Sequence, residues 1–421
     1  MLNSLYGEFC CTVFDLMNNK VLLSSSKLPT NKSYYYKDNE ILIISDDLRE
    51  ILTLMDFLEI QKNLNIHYIG YYLTGMPDNS LPNSLMRTIY KGINAVPSSH
   101  FILLENKDTE VQIFRYWYYW DGLKGTIKKP SESIKEALYN AVKVRIKDKN
   151  KTGILLSGGL DSGAIACILN EITGKKFNCY SNVFKNTLTI DEKNYINEVI
   201  DQINGKPNYI QSDDHWALKN VPNLSSEPQI EPHQGWFYEL DRITAKYAQS
   251  KGTKDIFDGI GSDELFSPAF QNDFFLNITE KSKREMLNIK SDISRGLIPD
   301  NLERTIRPNI NRIMPSFLDS NFINNHNMIE NVQDRFKIFQ NPDLNPLLKY
   351  RIFSLEFLNC FEDSIWFNNE IYRPLGLNRI HSFYDPELIE LVFSIPLKHF
   401  INPSINKPLL RKSMKNTLPK N

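Results

Sequence analysis

A buried strand, a glycine turn and a helix are encoded in consecutive residues near the middle of the chain, Ile154–Ala166. The apolar run Ile154–Leu156 precedes the turn Ser157–Gly159, and apolar residues then recur at helical spacing as far as Ile172. Glycine permits backbone conformations that are closed to other residues, and a helix directs the positive end of its dipole at the turn before it. The stretch therefore predicts a phosphate-binding loop between a strand and a helix.

The side chains of this loop are also suited to a phosphate. Ser157 and Ser162 supply hydroxyl donors, and Asp161 supplies a carboxylate that can hold Mg²⁺ against phosphate oxygens. No Gly-Lys-Ser/Thr follows, so this is not a Walker loop. The hexapeptide resembles the pyrophosphate loop of the ATP pyrophosphatase superfamily, Ser-Gly-Gly-x-Asp-Ser, whose members split ATP between the α- and β-phosphates. That resemblance implies nucleotide contacts from Ser157, Gly158, Gly159, Leu160, Asp161 and Ser162.

Composition limits the class of protein. A chain of 421 residues is long enough for two domains, and 41% apolar with 24% charged residues is typical of a globular protein. A formal net charge of −1 gives no field that would attract nucleic acid or an acidic membrane. No signal peptide and no apolar run of membrane-spanning length is present, which favours a cytoplasmic location. Five cysteines without metal-site spacing predict mostly buried thiols.

Residues 1–123 predict a smaller, β-rich domain, because short β-favouring runs alternate there with Asn and Asp turn signals. The predicted strands are Glu8–Leu16, Val21–Ser25, Ser33–Tyr36, Ile41–Ser45, Ile89–Leu104 and Val111–Trp117. Two helices are predicted, Leu48–Leu54 with Asp46 as its cap and Ile66–Leu73.

Five segments of this region are similar to the second half of the glutaminase-type domain of asparagine synthetases. They are Leu5–Phe9, Tyr34–Tyr36, Leu42–Asp46, Ile89–Ile93 and Arg115–Trp117. In those enzymes the domain begins with a nucleophilic cysteine, whereas position 2 of this sequence is Leu2, and the resemblance implies a start partway into the domain. We therefore expect a degenerate domain without glutamine hydrolysis. Cys10 and Cys11 lie within a predicted strand, where a free cysteine is usually a small buried hydrophobe.

Residues 132–421 predict a doubly wound parallel sheet, since strands alternate with helices beyond a linker at 124–131. The strands that accompany Ile154–Leu156 are Phe177–Phe184, Asn208–Ser212 and Asp255–Phe257. The helices are Ser133–Lys147, Lys193–Ile203 and Trp236–Ser250, the last closed by Gly252. Ligands of such a sheet bind at the carboxyl ends of its strands.

One of those strand ends carries a second motif, Asp258–Phe266. It is similar to Gly-x-Gly-x-Asp-Glu-Leu-Phe of the asparagine synthetase family. The resemblance implies that Asp161 and Asp263 ligate Mg²⁺ and that Glu264 acts with them in catalysis. It also implies that Asp258, Gly259 and Val183 lie beside the nucleotide, with ATP and Mg²⁺ as cofactors.

The residue between the two glycines of that motif departs from the family. Asparagine synthetases have Glu there and β-lactam synthetases have Tyr, whereas this chain has Ile260, which cannot move a proton. His233 is the histidine that we single out as a replacement base.

The last part of the chain also resembles the family. Arg373–Leu377, Ser382–Leu388 and Phe393–Pro396 are similar to the segment that closes the synthetase site. Lys407–Pro419 matches the helix that follows, and residues 391–421 contain six basic residues and no acidic one. The basic residues form either a solvated helix or a surface complementary to triphosphate. The family's catalytic lysine loop would lie beyond Asn421.

The resemblance implies an ATP-dependent, AMP-forming ligase that adenylates a carboxylate and joins it to an amine. Three acceptors are open: an amine of the same peptide, as in a lasso-peptide macrolactam cyclase; ammonia, as in asparagine synthetase; or the amine of a β-lactam precursor. We favour the first, because that subfamily has a degenerate amino-terminal domain and a variable base position. A leader-peptide protease is then an expected partner. A non-catalytic nucleotide-binding protein is the alternative from another class.

Overall fold

We analysed a computed structural model of the chain. It describes residues 2, 5, 7–28, 31–73, 86–105, 111–122, 125, 127–215, 231, 237–267, 318–329, 341, 348, 351, 352, 355, 360–400, 402 and 405–419. Contacts divide the chain into a first unit of Met1–Asp121, Ile230–Pro232 and Ala269–Cys360, and a second unit of Gly122–Gln229, His233–Pro268 and Phe361–Asn421. The domain limits at residues 123 and 132 stay a prediction.

The described part of the first unit contains two four-stranded antiparallel sheets, ordered β1-β2-β7-β8 and β4-β3-β6-β5. Their strands are β1 (Cys10–Asp15), β2 (Lys20–Ser25), β3 (Tyr34–Lys37), β4 (Leu42–Ser45), β5 (Met86–Arg87), β6 (Ile93–Ala95), β7 (His100–Glu105) and β8 (Gln112–Arg115). The helices are α1 (Leu48–Phe57), α2 (Ile66–Leu73) and α8 (Ser320–Asn325). Alternate residues of β7 are buried, as expected for strands with one face on a core.

Three details of the first unit differ from the sequence predictions. Asp47, not Asp46, caps α1, because its side chain accepts a hydrogen bond from the N–H of Arg49. The predicted strand Ile89–Leu104 is wrong: it forms β6 and β7 in different sheets, and the chain between them turns at Ser99, which has φ of 65°. Cys10 is exposed rather than buried, since β1 is an edge strand.

The second unit is built on a parallel five-stranded sheet ordered β11-β10-β9-β12-β13. Its strands are β9 (Thr152–Leu155), β10 (Asn178–Val183), β11 (Lys206–Gln211), β12 (Asp255–Phe257) and β13 (Asn378–Ile380). Its described helices are α3 (Pro130–Lys143), α4 (Leu160–Thr173), α5 (Lys193–Ile203), α6 (Tyr238–Ser250), α7 (Ser262–Phe266), α10 (Pro386–Ser394) and α11 (Pro408–Ser413). One more helix, α9 (Cys360–Phe367), begins at Cys360, the last residue of the first unit, and its other residues belong to the second unit.

The strand order explains where a ligand can bind. From β9 the chain adds β10 and β11 on one side, and it later adds β12 and β13 on the other. In open parallel sheets, ligands bind at the carboxyl ends of the strands where the order reverses, which in this sheet is between β9 and β12. Helix α4 follows β9 and is buried on all sides from Ala164 to Leu169, so the loop between them is anchored in the core.

The helix boundaries mostly follow the sequence predictions. Helices α2 and α5 have the predicted bounds. Helix α3 begins at Pro130 instead of Ser133, because proline is well suited to the first helical position, and it ends at Lys143 instead of Lys147. Strand β13 was not predicted. Within the described residues, no helix is both long enough and apolar enough to cross a membrane.

Candidate functional site

The loop between β9 and α4 is held by its own hydroxyl groups. The N–H of Ser157 donates to Oγ of Ser162 at 3.2 Å, and the two Oγ atoms are 3.1 Å apart. The N–H of Gly159, which caps α4, donates to Oγ of Ser157 at 3.3 Å. Leu160 is the first residue of α4 and Asp161 lies in its first turn. The structure thus brings all six residues of the predicted phosphate loop into one strand-to-helix turn.

Gly158 is required by this turn for two reasons. Its φ is 79°, in the left-handed region, and a Cβ at this position would lie 2.9 Å from the backbone nitrogen of Ile196 and from Cβ of Tyr195. The glycine therefore lets the loop pack directly against α5.

Gly259, in the motif after β12, brings the second loop onto the first. A Cβ on Gly259 would lie 2.6 Å from the backbone nitrogen of Ser162 and 2.8 Å from Cβ of Asp161. Because Gly259 has no side chain, the loop after β12 can lie directly against the start of α4. As a result, the two motifs, about a hundred residues apart in sequence, form one site.

Two carboxylates of these loops converge on Lys407, which directly precedes α11. Its Nζ lies 2.6 Å from Oδ2 of Asp161, 2.8 Å from Oδ1 of Asp263 and 3.4 Å from Oγ of Ser262. Ser262 in turn donates to Oδ1 of Asp161 at 2.7 Å. Lys407 is 4% exposed. Its backbone φ is 50°, a conformation that residues other than glycine rarely adopt. Such a buried, strained lysine is typical of a functional position.

The environment keeps Asp263 ionised. Burial would raise the pKa of this carboxyl group, but the hydrogen bond and the charge of Lys407, together with a hydrogen bond from Ser267, lower it below its usual range. Asp161 and Asp263 thus offer two hard oxygen ligands that already face a single cation. Mg²⁺ is commonly held by one or two protein carboxylates, with phosphate and water oxygens completing its octahedron, so this pair fits that ion. Among the described residues, no group of three or more His, Cys, Asp or Glu side chains could hold a metal.

Asp258 begins a buried polar network at the ends of β12 and β13. Nε of Arg379 donates to its Oδ2 at 2.7 Å, and Nδ1 of His381 lies 2.9 Å from its Oδ1. Arg379 also donates to Oδ1 of Asp241 at 2.7 Å, and the hydroxyl of Tyr372 donates to the same oxygen at 2.6 Å. The network ties strands β12 and β13 to α6.

The charges in this network compensate for burial. Burial alone would raise the pKa of Asp258, but His381 and Arg379 lower it to about 2. Burial raises the pKa of Tyr372 well above its usual range, and the negative charge of Asp241 adds to that increase. At neutral pH the network therefore contains two carboxylates and one guanidinium, with a neutral phenol.

Comparison with known proteins now identifies the family. The sequence model of the family described as asparagine synthase matches residues 133–421. The chain belongs to the asparagine synthase family. It is 26% identical over 268 residues to a putative glutamine-hydrolyzing asparagine synthetase 2 of Methanocaldococcus jannaschii, covering 62% of this chain and 49% of that protein.

Two further relatives match the same chain. It is 26% identical over 198 residues to the microcin J25-processing protein McjC of Escherichia coli, covering 47% of this chain and 35% of that protein. It is 21% identical over 284 residues to amidase chry2 of Gibberella zeae, covering 63% of this chain and 40% of that protein. The chain thus spans half or less of the length of these relatives.

The remaining residues expected from the asparagine synthase family lie as follows. Val183 is the last residue of β10 and is 7% exposed. Glu264 lies in α7, next to Asp263. Ile260 donates its backbone N–H to Oδ1 of Asp258 at 3.1 Å. His233 lies outside the described residues, so its role stays a prediction.

Sequence reasoning did not identify Ser262, Arg379 or His381 as residues of the site. It also did not predict that Lys407 bridges Asp161 and Asp263. Lys407 was noted only as one of several basic residues. Arg379 and His381 lie in the short stretch between two segments that resemble the asparagine synthase family, Arg373–Leu377 and Ser382–Leu388. However, β13 is only three residues long and carries no periodicity that could identify it as a strand.

Proposed function

We propose that this chain is an ATP-dependent ligase whose parallel sheet is doubly wound. It would adenylate a carboxylate, release pyrophosphate and pass the acyl group to an amine. The observation that carries the proposal is that the carboxylates of Asp161 and Asp263 both contact the ammonium group of Lys407, beside the Ser157–Ser162 loop. A purely structural nucleotide-binding protein has no need of two carboxylates at that place.

The first step is attack by the substrate carboxylate on the α-phosphorus of ATP. The bond from this phosphorus to the oxygen that bridges to the β-phosphate breaks, and pyrophosphate leaves with the electron pair. Backbone N–H groups of the loop, the hydroxyls of Ser157 and Ser162 and the start of α4 are suited to hold the pyrophosphate. Lys407 adds a positive charge at the same place.

Asp161 and Asp263 would hold Mg²⁺ in this site. When bound, the ion supplies neutralisation of the negative charge that develops on the phosphate oxygens. Because Nζ of Lys407 lies between the same two carboxylates, its single positive charge offsets one of their two negative charges.

The second step is attack of an amine on the acyl-adenylate, with AMP as the leaving group. We propose that the amine and the carboxylate belong to one peptide, so that the product is a macrolactam of the lasso-peptide type. Similarity to a relative named for processing microcin J25 supports a peptide substrate. Ile260, in place of the Glu or Tyr found in the other two synthetase classes, counts against ammonia and against a β-lactam precursor. A protease that removes a leader peptide is the partner that this reaction would need.

The test is pyrophosphate release from ATP and Mg²⁺ by the purified protein. The probe is a linear peptide with a free amino terminus and an internal Asp or Glu, and mass spectrometry detects the loss of one water on cyclisation. We expect release that depends on the peptide and is abolished in Asp161→Asn. The matched control, Asp201→Asn on the exposed face of α5, should keep wild-type activity. Release with ammonium and aspartate instead would indicate an asparagine synthetase, and nucleotide binding without release would indicate a non-catalytic protein.

A further inference from the structure

His381 lies at the carboxyl end of β13, next to Asp258. It directly follows β13, which pairs with β12 so that Ile380 lies opposite Phe257. His381 and Asp258 therefore follow two adjacent strand ends. The imidazole is 6% exposed, and its Nδ1 lies 2.9 Å from Oδ1 of Asp258.

The partner of Nδ1 determines which ring nitrogen carries the proton. The carboxylate of Asp258 already accepts hydrogen bonds from Nε of Arg379 and from the N–H of Ile260, and an ionised carboxylate only accepts hydrogen bonds. Nδ1 must therefore be the protonated nitrogen. In the neutral imidazole this leaves the lone pair on Nε2, which is the arrangement of a base oriented by a carboxylate.

Nε2 of His381 is buried and has no hydrogen-bond partner among the described residues, and the same holds for Oγ of the next residue, Ser382. Most buried polar atoms in proteins are satisfied, so two adjacent exceptions at a strand end call for an explanation. A substrate group that binds at this edge of the sheet would supply the missing partner.

The segment after His381 packs on the loop that carries Asp263. A Cβ on Gly261 would lie 2.9 Å from Cβ of Phe383 and 3.1 Å from the ring of Tyr384. The residue between Gly259 and Gly261 is Ile260. Its backbone N–H donates to Oδ1 of Asp258, the same oxygen that Nδ1 of His381 contacts. His381 thus lies beside the position that is Glu in asparagine synthetases and Tyr in β-lactam synthetases.

We propose that His381 is the general base of amide formation, replacing the group that Ile260 lacks. The proposal rests on the function proposed above. The lone pair of the amine forms the C–N bond, and the C–O bond to AMP breaks with its electrons leaving on the AMP phosphate. The proton released by the amine passes to Nε2 of His381 and then to water.

The surrounding charges favour this transfer. The groups that face His381 or share its carboxylate are Asp258 from β12, Arg379 from β13 and the ring of Tyr384, and Arg379 is joined to Asp241 of α6. The two carboxylates exceed the single guanidinium by one negative charge. A proton transferred to His381 therefore enters a network that carries one negative charge in excess.

The test separates adenylation from amine attack. Hydroxylamine is largely unprotonated at neutral pH and traps an acyl-adenylate as a hydroxamate without help from a base. We would measure hydroxamate formation and peptide cyclisation with the same linear peptide, ATP and Mg²⁺. The variants are His381→Asn, which keeps a donor near Asp258, and Asp258→Asn, which removes the carboxylate that orients the ring. The matched control is His215→Asn, because His215 Nδ1 also lies against a buried carboxylate, that of Glu239 at 3.2 Å.

In His381→Asn we expect hydroxamate formation within about twofold of wild type and cyclisation slower by roughly 10²-fold or more. The fall in cyclisation rate on the acid side of the pH–rate profile, expected when a base acts, should disappear in this variant. Asp258→Asn, whose side chain also lies beside the expected nucleotide position, should slow cyclisation more than hydroxamate formation, and His215→Asn should change neither.

Three results would overturn the proposal. Normal cyclisation by His381→Asn, or an equal loss of hydroxamate and cyclisation in both variants, would reduce His381 to a structural residue and leave the ligase assignment intact. Absence of hydroxamate with wild-type protein would instead overturn the ligase function, and the role of His381 with it.

Discussion

Lys407 Nζ lies 2.6 Å from Oδ2 of Asp161, across 246 positions of sequence. The same ammonium is 2.8 Å from Asp263, so one buried lysine joins the phosphate loop to the acidic loop after β12. This relationship defines the site and leads to the first prediction.

Replacing Lys407 with Met should lower stability and increase the response to Mg²⁺. Removing one member of a buried ion pair costs roughly 3–5 kcal/mol, but Asp161 and especially Asp263 keep access to solvent, so we expect about 2 kcal/mol. That corresponds to a fall in Tm of about 4–8 °C. Because the freed carboxylates can now take a divalent cation, Mg²⁺ should raise the Tm of Lys407→Met more than that of wild type.

Thermal unfolding with and without Mg²⁺ checks this prediction. Lys412→Met is the control, because Lys412 lies in α11, the helix that follows Lys407, but is exposed. An equal response of wild type and Lys407→Met to Mg²⁺ would mean that the two carboxylates do not form a cation site.

Gly259→Ala should damage the site by moving the two loops apart. The new methyl group would lie 2.6 Å from the backbone nitrogen of Ser162, which cannot yield as a flexible side chain would. Overpacking of this kind costs typically about 1–3 kcal/mol, and here the displacement falls on Asp161 itself. We expect a large loss of pyrophosphate release with a modest fall in Tm. Gly125→Ala, where a Cβ meets no atom within 4 Å, should behave as wild type, and an active Gly259→Ala would show that the contact is dispensable.

The stability contributed by Asp258 should depend on pH in the acid range. Its pKa is lowered from 3.8 to about 2 in the folded chain, so folding favours the ionised form. The contribution, about 2 kcal/mol, is complete above pH 5 and is lost as the pH falls through 2, with roughly half remaining at pH 3. Urea unfolding of wild type and Asp258→Asn between pH 7 and pH 3 measures it. A stability difference that stays constant over this range would contradict the network described here.

The thiols should differ sharply in reactivity. Cys10 is exposed on the edge strand β1, whereas burial raises the pKa of both Cys167 and Cys179 to about 12. A thiolate is the reactive species, so iodoacetamide at neutral pH should alkylate Cys10 and spare the two buried thiols until the chain is unfolded. Peptide mapping by mass spectrometry gives the order of labelling. Early labelling of Cys179 would show that the sheet around β10 opens readily.

The sequence predicted those parts of the site that depend on local order. The strand, turn and helix around Ser157–Ser162 are encoded by neighbouring residues, and so are the bounds of α5. Local patterns failed where a contact joins distant segments. No spacing rule connects Lys407 to Asp161, and a left-handed lysine carries no recognisable signal.

Burial was the second weak point of sequence reasoning. A strand pattern predicts alternation of buried and exposed residues but not whether the strand lies at an edge, which is why the expectation for Cys10 was wrong. The network of Asp258, Arg379 and His381 escaped prediction for a related reason. Its members lie on or directly after two strands of three residues each, and these strands become neighbours only in the folded sheet.

The fate of the substrate carboxylate oxygen tests the central claim most directly. A peptide whose reacting carboxyl group is labelled with ¹⁸O is incubated with the protein, ATP and Mg²⁺, and the nucleotide and phosphate products are analysed by mass spectrometry. If the chain adenylates the carboxylate, one ¹⁸O atom appears in AMP and none in pyrophosphate, and Asp161→Asn abolishes the transfer. Label in inorganic phosphate, with ADP as the nucleotide product, would contradict the account.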